Sequence, residues 1–338
     1  MRSTTATHRT PALGVPAPAA NPVTVTRSKD GVCRFSFSAL GTECLILFVC
    51  PDSLRAEAFA TTAQRWTLDF EAKYSRFRPD SLIGRINAAA GVAAVEIDED
   101  AATIFDLAGQ LTQMTGGILD ATALPLLRLW NYKLEHPRIP LDAEIEAARR
   151  LVGWHKVQRT PGRIFLPEPG MGLDLGGFGK EYAVDAVAEL ARAHGLTDVL
   201  VDFGHDVRVL GHPADSAWWR IGVEDPGRPG QSWATLGLTN RGVATSGDYL
   251  RGFTISGRRY GHILDPRTGR PVANGTRSVT IAASSCLEAG VLSTTVFVLG
   301  PAEGLRLIES FFGAEGCIRT EDTMVQSRGF FALRCDQT

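Results

Sequence analysis

Runs with a period of two and runs with a period of 3.6 follow one another along this chain without a regular beat. That irregularity restricts the fold more than any single motif does. CRFSFSALGTECLILFVC alternates and then turns apolar, so it reads as a strand, a turn at Gly41 and a second strand. Phe59, Ala63, Trp66, Phe70 and Tyr74 recur at helical spacing over 53–76, and Pro79 breaks the pattern. A second helix starts near Asp98 with Ile104, Leu107, Leu111 and Met114 on one face, and Gly116 and Gly117 end it. Asp142 reads as the N-cap of a short helix through Leu151. WHKVQR and RIFLP read as strands, DVLVDFG as a buried strand, DPGRPGQS as a loop, and SVTIAA as a further strand. Ala183, Val187, Leu190 and Ala191 mark a helix closed by Gly195, and two more helices are expected near 289–299 and 301–312. Strands and helices mixed in this way give an α+β fold rather than a doubly wound sheet.

Composition narrows the function classes. The 338 residues carry a formal net charge of -2, and there is no long Lys/Arg run, so neither nucleic acid nor an anionic membrane surface is expected as a partner. No stretch of 18 apolar residues is present. Six scattered cysteines form no C-x-x-C pair and no zinc spacing, which suits core packing in a reducing compartment. Residues 1–27 are Thr, Ala and Pro rich and are expected to be a disordered tail ahead of one domain over 28–338. The prolines in PALGVPAPAANPV break any secretory apolar segment, so a cytoplasmic location is expected.

The stretch DLGGFGKEYAVD, Asp174 to Asp185, packs an acid, three glycines and a lysine into the mouth of a helix. Glycines let a ligand approach the backbone, and a helix N-terminus offers N–H groups and partial positive charge. Lys180 in that first turn opposes the helix dipole unless an anion sits beside it. A phosphate is the ligand this suggests; a tight strand-to-helix corner is the plainer reading. Ser246 and Asp248 sit on a polar turn, and His262 stands beside Asp265, Arg267 and Arg270, the composition of a polar cleft. His262 is the candidate catalytic residue. No dinucleotide or nucleotide-triphosphate glycine fingerprint is present.

In order, the stretches LGTE, SRFRPDSLIGRIN, GGILDATALPLLRLW, LDLGGFGKEYAVD, LVDFGHDVRVLG, ATSGDY, GHILDPRTGRPV, SVTIAA and LSTTVFVLG resemble the ApbE family, the FAD:protein FMN transferases. The resemblance runs from about Ala39 to Gly304. It implies a two-lobed α+β fold with FAD in the cleft and a divalent metal, usually magnesium, at the diphosphate. It also implies a reaction that splits FAD, attaches FMN through a phosphoester to a Thr of a target flavoprotein, and releases AMP. On that implication Leu40, Phe77, Ile118, Leu119, Asp120, Asp174, Lys180 and Ile263 hold the cofactor, while Gly177, Ser293 and Thr294 reach the metal. The chain departs from the family pattern where it matters for a hard cation. The motif's Asp is Gly290, the Gly after its Lys is Glu181, and its Gly-Gly-Asp is Gly204-His205-Asp206. A Gly290→Asp change is therefore expected to tighten magnesium binding. Glu288 lies on the wrong face of a helix to replace the lost acid. The alternatives are an FAD-binding relative without transferase activity, serving as a flavin carrier or partner, and an FAD pyrophosphatase.

Overall fold

Two strands, Val32–Ala39 and Thr42–Val49, form the first hairpin in the computed structural model, which describes residues 23–335. Leu40 (φ 55°) and Gly41 (φ 71°) make its two-residue turn with both residues in the left-handed region. A right-twisted hairpin requires this, and Gly41 accepts it freely while Leu40 is strained by it. The expected tail lies outside the described residues up to position 22. Its end differs from the expectation: Thr26–Arg27 pair with Val32–Ala39, and Val23 and Val25 pack on the core. Apolar residues at 23 and 25 and a ready strand edge draw this segment in.

The hairpin begins a nine-stranded sheet in which every pairing is antiparallel. Its order runs Thr26–Arg27, Val32–Ala39, Thr42–Val49, Val199–Phe203, Asp206–Leu210, Gly242–Gly247, Thr276–Ala283, Glu315–Thr320, Met324–Gln326. About 150 residues of mostly helical chain leave between the third and fourth strands and return to the sheet. This is the mixed helix-and-sheet architecture the irregular periodicity implied. Strand alternation divides the core between the two faces. Val199, Val201 and Phe203 face the larger cluster with the helices, whereas Leu200, Val207 and Val209 face a second cluster under the hairpin Trp219–Asp225 and Arg228–Leu238.

Helix boundaries follow from their caps. The Asp52 carboxylate accepts the N–H groups of Leu54 and Arg55 at the start of Ser53–Tyr74, and Asp98 accepts that of Ala101 at the start of Glu99–Met114. Asp142 is the first residue of Asp142–Arg150 rather than its N-cap. Its carboxylate goes to Arg270 at 2.8 Å, and Glu144 reaches back to the Leu141 N–H instead. DPGRPGQS is mostly strand, because two register shifts on Arg228–Leu238 absorb its proline and glycines. In WHKVQR the residues Trp154–Lys156 form a 3₁₀ turn, and only Gln158–Thr160 pairs as a strand. The late helix begins at Cys286, earlier than expected, because Ser285 caps it. Among the described residues no helix is long and apolar enough to cross a membrane.

Two helices cover the sheet next to each other, Gly179–Ala193 and Cys286–Leu299. The Asp185 carboxylate on the first accepts the N–H groups of Cys286 (2.9 Å) and Leu287 (2.8 Å) at the start of the second. Gly242 lets the sheet approach that same start closely, since a Cβ there would lie 2.2 Å from the Cys286 nitrogen. Two charge-assisted bonds at a helix N-terminus, with two amides orphaned on truncation, set the cost of losing Asp185. Asp185→Ala should destabilise the fold by roughly 2–4 kcal/mol. A lower urea midpoint at unchanged slope is the expected result, and an unchanged midpoint would contradict it.

Candidate functional site

The site lies where two hairpin turns meet the mouth of the helix Gly179–Ala193. Gly204 (φ 59°) and His205 (φ 71°) repeat the left-handed turn of Leu40–Gly41, and the Gly204 N–H donates to the Glu43 carbonyl, tying the turns together. A Cβ on Gly204 would meet the Thr42 hydroxyl oxygen at 2.3 Å, so only glycine fits there. His205 holds a positive φ, a conformation uncommon for a residue other than glycine.

Lys180 reaches this junction. Its Nζ lies 2.5 Å from Asp206 Oδ2 and donates to the Gly204 carbonyl at 3.1 Å. The anion demanded by a lysine in a first helical turn is thus supplied from within the chain. Burial works against the charge of Lys180, but Asp206 and Glu181 outweigh it and raise its pKa. Glu181 is driven well above the usual carboxylate range, first by burial and then by the Asp206 carboxylate. The backbone at the helix mouth is also largely satisfied: the N–H groups of Phe178 and Gly179 donate to the Leu175 carbonyl, and that of Gly176 to Asp174 Oδ1. It is a tight corner into the helix, though no strand precedes it, and a bare phosphate cradle of the kind the glycines suggested is not left open at these three amides.

Asp174 is held by Arg76, whose Nε lies 2.9 Å from Asp174 Oδ2. The Arg76 guanidinium in turn covers the Phe77 ring at 4.2 Å, and Phe77 is 71% exposed. Acid, guanidinium and open aromatic ring therefore form one continuous polar-aromatic surface. Asn87 locks the extended segment leading into it, since its side-chain amide exchanges two hydrogen bonds with the backbone of Leu173. Arg76 and Asn87 were not singled out from the sequence. Arg76 lay inside the quoted SRFRPD, but nothing local indicated that its partner was 98 positions away.

The other expected cofactor residues divide. Leu40 is half-buried at the strained turn beside Gly204. Ile118 and Leu119 are buried, and Leu119 packs where a Cβ on Gly177 would touch it at 3.2 Å. Asp120 works on its own loop: Oδ1 accepts from the Thr122 N–H and hydroxyl, and Oδ2 from the Trp154 N–H. Behind Asp120 opens a cavity of about 520 Å³, lined also by Thr112, Trp154 and Arg267, and none of Asp174, Lys180 and Thr294 faces it. Ile263 is half-buried against the C-terminal core, and its carbonyl accepts from Val272.

On the late helix, the Ser246 hydroxyl lies 2.9 Å from both the Ser293 and Thr294 hydroxyls, so three hydroxyl oxygens converge. Ser293 also donates to the Gly290 carbonyl, and Gly177 lies exposed at the corner before Gly179–Ala193. Glu288 is bonded by the Ser284 hydroxyl. Among the described residues no three His, Cys, Asp or Glu side chains are grouped to hold a metal. A hard cation would have to rely on hydroxyl and carbonyl oxygens plus at most one or two acids. The space beside Gly290 is taken: a Cβ there would lie 2.6 Å from Glu181 Cγ. An aspartate at 290 would force the Glu181 side chain to move, so Gly290→Asp acts on both residues at once.

The His262 ring lies edge-on to Tyr132 at 6.1 Å, and its backbone N–H donates to the Arg251 carbonyl. Nδ1 is buried without a hydrogen-bond partner. Burial, then the nearby Arg251, push its pKa down to about 4, so the imidazole is neutral at neutral pH. The loop that carries it is pinned to the helical segment by Trp130, whose indole N–H donates to the Gly269 carbonyl.

A family model described as the ApbE family matches residues 40–318. A Vibrio cholerae protein named FAD:protein FMN transferase is 30% identical over 263 residues, covering 77% of this chain and 79% of that protein. A Treponema pallidum protein of the same name is 30% identical over 290 residues, 80% of each. Among solved structures, the ApbE protein of Thermotoga maritima has a TM-score of 0.81 at 31% identity, covering 90% of this chain and 99% of that one.

The depressed His262 pKa makes stability depend on acid in a definite direction. The unfolded chain takes up a proton near pH 6.5 and the folded chain only near 4, so stability is complete above about 6.5 and is lost as pH falls toward 4. At pH 5 the loss from this group is about 2 kcal/mol. His262→Gln should therefore lose less stability than the parent between pH 7 and 5 in urea titrations. Equal losses would show that the imidazole is not held neutral.

Proposed function

The chain belongs to the ApbE family, and we infer that it does what its curated relatives are named for: it is an FAD:protein FMN transferase. The observation that carries this reading is identity of about 30% over some four-fifths of the chain to proteins bearing that name, together with a matching fold. In the reaction an acceptor Thr oxygen forms a bond to the FMN phosphorus. The bridging bond to the AMP phosphate breaks, the hydroxyl proton departs, and AMP leaves with the bond's electron pair. The acceptor is a flavoprotein that presents this Thr.

The chain's own residues support distinct parts of that task. Arg76 sets a positive charge beside Asp174 at an open aromatic surface, which suits a flavin with its anionic diphosphate. Leu40 offers an apolar contact at the strained turn, and Lys180, paired with Asp206, fixes the mouth of the helix against that turn. His262, neutral and with an unpartnered ring nitrogen, suits a hydrogen-bond acceptor that orients a hydroxyl more than it suits a strong base. A divalent cation, magnesium by its taste for hard oxygen, would neutralise diphosphate charge when bound. The hydroxyl of Thr294 and the carbonyls of Gly177 and Ser293 are the residues we assign to it, with the converging hydroxyls at Ser246 as support for an oxygen-donor site. A cytoplasmic setting suits the six cysteines, all free of disulfides.

The test is to incubate the full chain with FAD, magnesium chloride and a flavin-acceptor domain carrying a Thr. The expected outcome is a mass gain on the acceptor of FMN less one water, with one AMP released per transfer. Free FMN with AMP and an unchanged acceptor would make the protein a pyrophosphatase, and FAD left intact would make it a binder; either result contradicts the proposal. Asp174→Ala should weaken FAD binding about tenfold by removing an acid assigned to the cofactor and the anchor that fixes the Arg76 guanidinium in place, read from quenching of flavin fluorescence.

A further inference from the structure

Glu181 and Gly290, the two positions where the resemblance implies a departure from the family pattern, lie 109 positions apart in sequence and touch in space. A Cβ on Gly290 would fall 2.6 Å from Glu181 Cγ and 3.1 Å from both its Cδ and Oε1. The carboxyl group of Glu181 therefore fills the volume that a side chain at 290 would use. Each residue requires the other: Glu181 fits because 290 has no side chain, and 290 can lack one because Glu181 occupies its place.

Glu181 Oε2 is sealed from solvent and receives no N–H or hydroxyl donor, and its carboxyl group lies against that of Asp206, with which it shares a hydrogen bond. Two carboxyl groups held together out of water keep a proton between them unless a cation replaces it. Lys180, the adjacent cation, is taken by Asp206 at 2.5 Å and by the Gly204 carbonyl. The remaining charged groups near Glu181 are the Asp206 carboxylate and Lys180 itself, so the cluster carries one more negative charge than positive when all are ionised. Thr294 is one helical turn from Gly290 on the same face of Cys286–Leu299, next to the Ser246 and Ser293 hydroxyls.

We propose that Glu181 supplies the carboxylate that the late motif lacks, so that the divalent-cation site is rebuilt with its acid on the helix Gly179–Ala193 instead of on Cys286–Leu299. The acid and its glycine have exchanged positions between the two facing helices, and the cation is held from the opposite side by the same hydroxyl and carbonyl oxygens. This rests on the transferase reading above and assigns one residue of its metal site.

The experiment titrates manganese chloride into the full chain with FAD present and follows free Mn²⁺ by electron paramagnetic resonance. Three proteins are compared: the parent, Glu181→Gln, and the double exchange Glu181→Gly with Gly290→Asp. One bound Mn²⁺ is expected for the parent, with affinity lower by roughly tenfold or more in Glu181→Gln and recovered in the double exchange. Parent-like binding by Glu181→Gln would overturn the assignment, as would a parent that binds no Mn²⁺. Flavin fluorescence on the same samples tells the two failures apart. FAD bound without manganese sinks only the role of Glu181, whereas no FAD bound sinks the transferase reading beneath it. Should Glu181→Gln fold poorly, the double exchange decides, because it keeps one acid and one glycine at the same contact; loss of Mn²⁺ binding there contradicts the proposal.

Discussion

Everything at the site depends on one carboxylate bridging two helices. Asp185 accepts both opening amides of Cys286–Leu299, which fixes where that helix begins and how it lies against Gly179–Ala193. The helices run in opposite directions, so one turn back from Asp185 is matched by one turn forward from Cys286. That step brings Glu181 against Gly290. A capping interaction worth a few kcal/mol thereby sets the register of a chemical site nearly a helical turn away. Gly242 permits it, since only a bare backbone lets the sheet come so near the same helix start.

The electrostatics follow from that packing. Lys180, Glu181 and Asp206 are brought together at a junction partly closed to water, where charges interact strongly and unpaired ones are expensive. Lys180 and Asp206 satisfy one another. Glu181 is left with an oxygen that no N–H or hydroxyl group of the chain reaches. Around this cluster the molecule also tolerates strained backbone, with Leu40 and His205 both at positive φ in adjoining turns. Strain of this kind persists where surrounding structure over-determines it, and it gathers where ligands are handled.

Much of the fold was legible because its determinants are local. The period of Phe59, Ala63, Trp66, Phe70 and Tyr74 announced one helix, Asp98 the start of the next and Gly116 and Gly117 its end, and the alternation around Leu40–Gly41 announced the first hairpin. The misreadings came from residues whose partners are distant. Pro229 and its neighbouring glycines look like a loop until a facing strand absorbs them in bulges, and Asp142 looks like a cap until Arg270 arrives from the other end of the chain. The site divides in the same way. Asp174, Lys180 and Thr294 stood in recognisable stretches. That Arg76 would hold Asp174, that Asp206 would be the anion for Lys180, and that Glu181 would fill the gap at Gly290 could not be read from spacing, because each pairing is made by tertiary packing between distant segments.

The most direct measurement is an anomalous difference map from crystals of the full chain grown with FAD and manganese chloride. The account expects a single strong manganese peak between the Glu181 carboxylate and the Thr294 hydroxyl, with flavin density nearby. Flavin density with the peak elsewhere, or with no peak and Glu181 still pointing at Gly290, would contradict it.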